Sequence, residues 1–342
     1  MKKSFYFLFL FFVLITTTSC SKTMKLEWQF KTHAEVQSSP KIVADIAYFG
    51  SNDYFFYSVH TKQRKELWKF ETDGKVISTP FIDSDRVYFG SQDGYLYALD
   101  LESGKKIWRF KTGSGVYSEP VIYDNVIYFG SDDGCLYALD CKTGFEKWRF
   151  QTGDWVVSTP ALSENVLYFG SLDKHLYAVD RRTGKQLWKY AVDGGIYTSP
   201  IVDSDVVYFG SIDHYFYALD IPSRYKIWKF KAEDDIISSP VMSKGIIYFG
   251  SNDDNLYALE EETGKLTWKF KANGAIQTKA ILGANNLIYF TSLDGTMYEV
   301  DILKGLEKKI FKAGGQIYTS PTIASGVVYF GSDDNNLYGI KN

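Results

Sequence analysis

From residue 25 onward, apolar and polar positions alternate with a period of two in short runs separated by turn residues. Lys106-Ile-Trp-Arg-Phe-Lys111 alternates, as does Tyr95 to Leu99; Arg86 to Gly90 is aromatic, and Val76 to Ile82 is small and β-branched. Period-two alternation places successive side chains on opposite faces of an extended chain, so these runs predict strands. Between them stand Asp83-Ser-Asp85, Asp93-Gly94 and Ser103-Gly104, residue types that favour tight turns. No stretch shows helical periodicity of useful length. Residues 68–107 thus read as four short strands.

This unit repeats. Trp28, Trp68, Trp108, Trp148, Trp188, Trp228 and Trp268 fall at intervals of 40, as do Pro40 to Pro240 and Gly50 to Gly250. After one extra residue the pattern resumes with Pro321, Gly331 and Asp334, and Lys309, followed by Ile310 and Phe311, takes the eighth tryptophan position. Four strands per copy of about 40 residues is the mark of a β-propeller blade. An open solenoid would need polar terminal copies to cover its exposed ends. Here the last copy, Tyr318 to Ile340, is as apolar as the middle ones. The chain also begins with a lone tryptophan strand, Leu26 to Phe30, and its last copy stops after a third strand, Asn336 to Ile340. The leading strand supplies what the final copy lacks. The expected fold is all-β: an eight-bladed propeller of four-stranded antiparallel blades, closed by the N-terminal strand in the last blade, over residues 25–342.

Composition agrees with extensive inter-sheet packing. The 342 residues are 45% apolar and 17% aromatic, far too rich in rings for a disordered chain. With 38 basic and 41 acidic residues, there is no basic excess to neutralise a phosphate backbone, which argues against a nucleic-acid partner.

Residues 1–19 form a separate object. Lys2 and Lys3 precede an uncharged apolar run from Phe5 to Ile15, and Thr16 to Ser19 lead into Cys20. Eleven apolar residues are too few for a membrane-spanning helix and suit a secretory signal. A small residue directly before cysteine resembles the bacterial lipoprotein signal, which implies acylation of Cys20 as the mature N-terminus; Thr17 stands where that signal usually has leucine. Loss of residues 1–19 would take the net charge from −3 to −5. Residues 20–24 are expected as a short linker. Cys135 and Cys141 lie six residues apart in an extended run, on the order of 20 Å, too far for a disulfide. They are expected as free thiols.

Positions filled alike in every copy suggest a shared structural task. Each tryptophan is expected to dock against the neighbouring blade; Lys309 cannot, so that interface is expected to rely on Ile310 and Phe311. The hydroxyls at Ser38, Ser78, Ser118, Ser158, Thr198, Ser238, Thr278 and Thr319 are placed on the innermost strands, where crowding favours small residues. The aspartates from Asp53 to Asp334 are read as turn residues rather than a calcium ring. His175 and His214 fall in adjacent second-to-third-strand turns without a third ligand, so no metal centre is expected.

Departures from the consensus mark candidates for function. Trp155 stands where other copies have Lys75, Gly115, Gly195 or Ala275, on the face holding the loops into each first strand. An extra aromatic there is a candidate partner contact. Glu119 and Lys279 replace the hydroxyls of Ser39, Thr79, Thr159, Ser199, Ser239 and Ser320, four copies apart. They are further candidate partner contacts, expected either to face a central channel or to be solvated strand ends. Tyr117, Tyr197 and Tyr318 share another inner position and are expected to crowd it.

The motif Asp180-Arg-Arg-Thr183-Gly184-Lys185-Gln-Leu-Trp188 recurs as Asp140…Thr143-Gly144…Trp148 and Glu260…Thr263-Gly264-Lys265…Trp268. Joined to Asp-Gly-x-Leu-Tyr-Ala-Leu-Asp at Asp93 to Asp100, it resembles the repeat of pyrroloquinoline-quinone (PQQ) enzymes, over residues 25–342. Copies one, at Lys62-Gln63, and five, at Ser223-Arg224, depart from it, and their turns are expected to be reshaped. A lipid-anchored ring of these repeats is similar to the BamB-type outer-membrane assembly lipoproteins. That resemblance implies a non-catalytic envelope scaffold without a cofactor, monomeric, in the outer membrane facing the periplasm, held only by its lipid. Its implied partners are a BamA-like assembly protein or nascent outer-membrane proteins. Two other classes stand beside it. The quinoprotein dehydrogenases share the repeat but are usually much longer, and the alcohol-dehydrogenase branch carries an adjacent cysteine pair that this chain lacks. An envelope module binding glycans or peptides is the third.

Overall fold

The computed structural model describes residues 22–341, which form strands and turns, with no helix among the described residues. Two short strands come first, β1 (Lys22–Thr23) and β2 (Lys25–Lys31). Blade 1 follows as β3 (Lys41–Val43), β4 (Ile46–Gly50), β5 (Phe55–His60) and β6 (Lys65–Glu71), hydrogen-bonded in chain order from the inner to the outer strand. Blades 2 to 7 repeat this antiparallel sheet, opening with inner strands at Phe81, Val121, Ala161, Ile201, Val241 and Ile281. Blade 8 takes three strands from the C-terminal end, and β2 completes it as the outer strand. β2 runs antiparallel to Asn336–Lys341, with Trp28 opposite Gly339 and Lys31 opposite Asn336. The fold is therefore the expected eight-bladed propeller with its ring closed by the leading strand.

The core is divided into eight apolar clusters, one between each pair of neighbouring blades. Blades 1 and 2, for example, meet through Tyr48, Phe56, Val76, Phe89 and Tyr97. Phe56 stacks on Phe89 with ring centroids 4.1 Å apart. Such contact requires close approach near the axis. A Cβ on Gly50 would lie 2.3 Å from the Val76 side chain of the next blade, so the glycine ending the second strand is a spacing requirement.

That crowding also shortens the inner strands. Val76 to Ile82 reads as a strand, but only Phe81–Asp83 pairs. Val76 is instead fully buried against blade 1 and donates its N–H to the Ser51 carbonyl, and Pro80 has no N–H to offer a ladder. The hydroxyls from Ser38 to Thr319 thus precede the inner strands rather than lie on them; four of them bind neighbouring blades together, while Ser158, Thr198, Thr278 and Thr319 donate to the second strand of their own blade. Ser38 Oγ donates to the Ser78 carbonyl at 2.9 Å, Ser78 to Ser118, Ser118 to Ser158, and Ser238 to Thr278.

Five of the seven tryptophans make two contacts with the next blade. Their indole N–H groups reach a carbonyl 33 or 34 residues on, in the next blade: Trp68 to Leu101, Trp108 to Cys141, Trp148 to Arg181, Trp228 to Glu261 and Trp268 to Ile302, at 2.9–3.3 Å. Their rings lie on a glycine of the next blade, at Gly104, Gly144, Gly184, Gly264 or Gly305. Gly184, at φ +69°, could carry a Cβ only 2.6 Å from the Trp148 ring. In copies one and five, Arg64 and Arg224 hold the same left-handed conformation. Copy five is not reshaped, because the Arg224 N–H still meets the Asp220 carbonyl at 2.8 Å, as the Gly184 N–H meets that of Asp180. In copy one, the outer strand begins already at Lys65, paired with His60.

Blade 7 departs from the pattern. Where other outer strands set tryptophan opposite a small residue, as Trp268 opposite Ala258, here Lys309 stands opposite the buried Glu299. Part of the segment expected as a linker compensates. β1 adds a fifth, parallel strand to the outer edge of this sheet, with Thr23 opposite Ile310, and the Met24 N–H donates to the Ile310 carbonyl at 2.8 Å. Met24 is then buried between blades 7 and 8 with Ile317, Phe330 and Tyr338. Phe311 packs there as expected, edge-on to Phe330. Ile310 does not; it faces the cluster between blades 6 and 7, because it points to the other side of the strand from Phe311.

Deleting Lys25–Lys31 should leave Asn336–Lys341 as an open edge and expose the blade 8–blade 1 cluster. The expected outcome is a lower melting temperature and concentration-dependent association, seen by calorimetry and light scattering; a monomer melting normally would contradict the closure. Trp148→Ala should cost about 3–5 kcal/mol in denaturant unfolding. Gly184→Ala should cost clearly more than Gly245→Ala. Both carry the left-handed penalty of about 1–2 kcal/mol, but a Cβ at Gly245 meets nothing within 4 Å.

Candidate functional site: the loop face and the axial funnel

One face of the ring carries the loops entering each first strand and the turns between second and third strands. The recurrent aspartates sit in these turns, and their carboxylates are occupied. Asp93 accepts the Tyr97 hydroxyl at 2.8 Å, the Tyr95 N–H at 2.9 Å and the Asp73 N–H at 3.1 Å. The tyrosine-to-aspartate bond recurs in all eight blades. These aspartates hold the entry loop, the turn and the third strand together.

Trp155 lies on this face with 46% of its surface exposed. Its backbone is fixed: the N–H donates to Asp154 Oδ1 at 2.8 Å, and its carbonyl accepts the Leu172 N–H at 2.9 Å. A rigid loop therefore presents a large ring to solvent. Around it the face is acidic. Glu35, Asp132, Asp154, Asp234, Asp235 and Asp333 occupy turn and entry-loop positions, against the basic residues Lys75 and Lys174. Burial, and then the neighbouring Asp133, push the Asp132 carboxyl up to about 7. Burial also raises Asp235, with Asp234 adding to the effect, and raises Asp333.

His175 and His214 each have a local partner. His175 Nδ1 lies 2.9 Å from the Asp173 carbonyl oxygen, and His214 Nε2 lies 3.3 Å from Asp235 Oδ1. What sequence spacing missed is that the following entry loop brings Asp234 and Asp235 to His214, with ligand atoms all within 4.8 Å of one another. These are the residues that could hold a metal ion, at an open surface. Cys135 and Cys141 are free and buried. Burial and the nearby Asp133 push the Cys135 thiol up to about 11, which leaves it poorly nucleophilic.

Beneath the face, the inner segments enclose an axial funnel of about 540 Å³. Glu119 and Lys279 both line it, as do Tyr117, Tyr197 and Tyr318. Trp155 does not; it stays on the rim side, apart from the other two candidates. The structure adds Lys41, whose Nζ meets Glu119 Oε1 at 2.8 Å. Lys41 was findable by the same comparison of copies, since its position is otherwise filled by uncharged residues such as Phe81, Val121 and Ile201. Lys279 is reachable by water but walled by protein. Desolvation lowers its ammonium below the ordinary lysine range, Glu119 opposing and Lys41 reinforcing the shift.

Pyrroloquinoline quinone is a planar tricarboxylate. The funnel offers it one ammonium not already bonded to an acid, opposite the Glu119 carboxylate. The residues present do not fit that group.

Comparison with known proteins agrees with the fold. The computationally designed Ika8 protein superposes with a TM-score of 0.81 at 16% identity, covering 94% of this chain and all of that one. BamB from Moraxella catarrhalis gives 0.80 at 17% identity, with 94% and 100% covered. A europium-containing methanol dehydrogenase gives 0.74 at 15%, with 92% and 84% covered. At such identities the likeness is one of fold. No curated protein matches the chain in sequence. A family model does, over residues 57–155, 152–235 and 215–342, nearly the whole of the ring. The chain belongs to the family described as outer membrane protein assembly factor BamB.

Proposed function

We propose that this protein is a non-catalytic scaffold of the bacterial cell envelope that uses its loop face to grip a protein partner in outer-membrane β-barrel assembly. The observation that carries this is Trp155. It is a large, exposed ring on a rigid loop, at a position that other copies fill with smaller or flexible residues. Aromatic anchors of this kind supply a disproportionate share of interface energy. Membership of the BamB family supports the class of partner, a BamA-like assembly protein or a nascent outer-membrane chain. The surrounding carboxylates would suit a partner with a basic surface, which speeds encounter at low salt.

The rest of the reading follows the leader sequence. Acylation at Cys20 would tether the ring to the outer membrane by lipid, facing the periplasm. Cys20 and the signal segment lie outside the described residues. No helix among the described residues is long and apolar enough to cross a membrane.

Trp155→Ala should weaken capture of a BamA-like protein from crosslinked envelopes by about tenfold or more, the size of a single anchoring residue. Its melting temperature should stay unchanged. Capture should also fall as ionic strength rises past about 0.15 M. Undiminished capture by the variant would move the contact off this face. Enrichment of a glycan in place of any assembly protein would favour a ligand-binding module instead.

A further inference from the structure

The funnel wall contains a ring of hydrogen-bond donors that the protein does not use. Ser199 Oγ accepts the Thr159 N–H at 2.9 Å, and Ser239 Oγ accepts the Ser199 N–H at 2.9 Å. On the other side of the ring, Ser320 Oγ accepts the Lys279 N–H at 3.0 Å and Ser39 Oγ accepts the Ser320 N–H at 2.9 Å. Each oxygen is thus fixed by the preceding blade, while its own O–H has no protein acceptor among the described residues. All four serines line the funnel.

Charge points the same way. Lys41 and Lys279 face one carboxylate, Glu119, and that carboxylate is bonded to Lys41 at 2.8 Å. The Lys279 ammonium has no hydrogen-bond or ion-pair partner among the described residues. One uncompensated positive charge, surrounded by outward-donating hydroxyls, forms a receptor for a single negative charge on an oxygen-rich group. The volume, about 540 Å³, lies in the range of small-molecule sites.

We infer that the axial funnel is a binding site for a small hydroxylated monocarboxylate, of the sugar-acid class, with its carboxylate at Lys279 and its hydroxyls met by the serine ring. The carboxylate accepts from the ammonium and from nearby serine hydroxyls, while polyol oxygens accept from the others. A dianion is disfavoured by Glu119, which lies within electrostatic reach of Lys279. This inference is independent of the loop face, since Trp155 does not line the funnel.

The test is calorimetric titration of the full protein with D-gluconate, with D-glucose as the neutral counterpart. Gluconate should bind and glucose should bind at least tenfold more weakly. Lys279→Ser, which installs the residue that blades 1, 5, 6 and 8 already carry, should weaken gluconate at least tenfold without lowering the melting temperature. Should that variant fold poorly, Lys279→Gln serves the same purpose. Glu119→Ser should have the opposite sign: it releases Lys41 and tightens gluconate severalfold, an effect a merely structural role would not produce. Trp155→Ala should leave gluconate binding untouched. The site is refuted if gluconate gives no heat up to tens of millimolar, if Lys279→Ser binds it as well as the unaltered protein, or if glucose binds equally. Inorganic phosphate binding as tightly as gluconate would refute the carboxylate assignment.

Discussion

The ring depends on how closely one blade can approach the next. A single four-stranded sheet leaves both faces uncovered, and here every face is covered by a neighbouring sheet. The approach is set by residues with nothing in the way: in most blades a glycine ends the second strand, against which the next blade's Val76-type residue lies, and a glycine lies under five of the docking tryptophans. Bulk at either place pushes two whole sheets apart, not two side chains. Because the contacts form a closed series, a weakness in one interface is not confined to an end, as it would be in a solenoid.

Closure explains the two exceptional strands. β2 supplies the outer strand of blade 8 and, through Trp28, joins blade 8 to blade 1. β1 answers a different need. Blade 7 has a lysine where the other blades have tryptophan, and the chain brings back Met24, on an added parallel strand, to fill the space between blades 7 and 8. An apolar side chain from elsewhere in the sequence thus replaces one that the repeat lost.

The same crowding that holds the ring creates its central space. Inner segments converge on the axis, so their small hydroxyl residues face one another across a narrow lumen, and a single enlarged or charged substitution alters the chemistry for all blades. Glu119, Lys279 and Lys41 come from blades 3, 7 and 1 and act within one funnel. The loop face is different: there each copy is separately exposed, and Trp155 can vary without disturbing the core. The proposed grip on a large partner and the proposed recognition of a small anion therefore belong to different surfaces.

Much of this was legible in the chain alone. The interval of 40 residues between tryptophans, the four alternating runs per copy and the displaced first strand determined the blade number, the strand order and the mode of closure, because strand alternation and turn chemistry are local and eight repetitions average out local noise. Comparing copies also picked out Trp155, Glu119 and Lys279. What tertiary structure alone decided concerns contacts between residues tens to hundreds of positions apart. The inner strands lost most of their expected length because neighbouring blades, not the local sequence, claim Val76 and its equivalents. Lys41 became a partner of Glu119, Asp234 and Asp235 met His214, and Met24 entered a core, each only once the ring placed them together. A repeat specifies its own sheet, but distances across the axis and between faces exist only after the circle has closed.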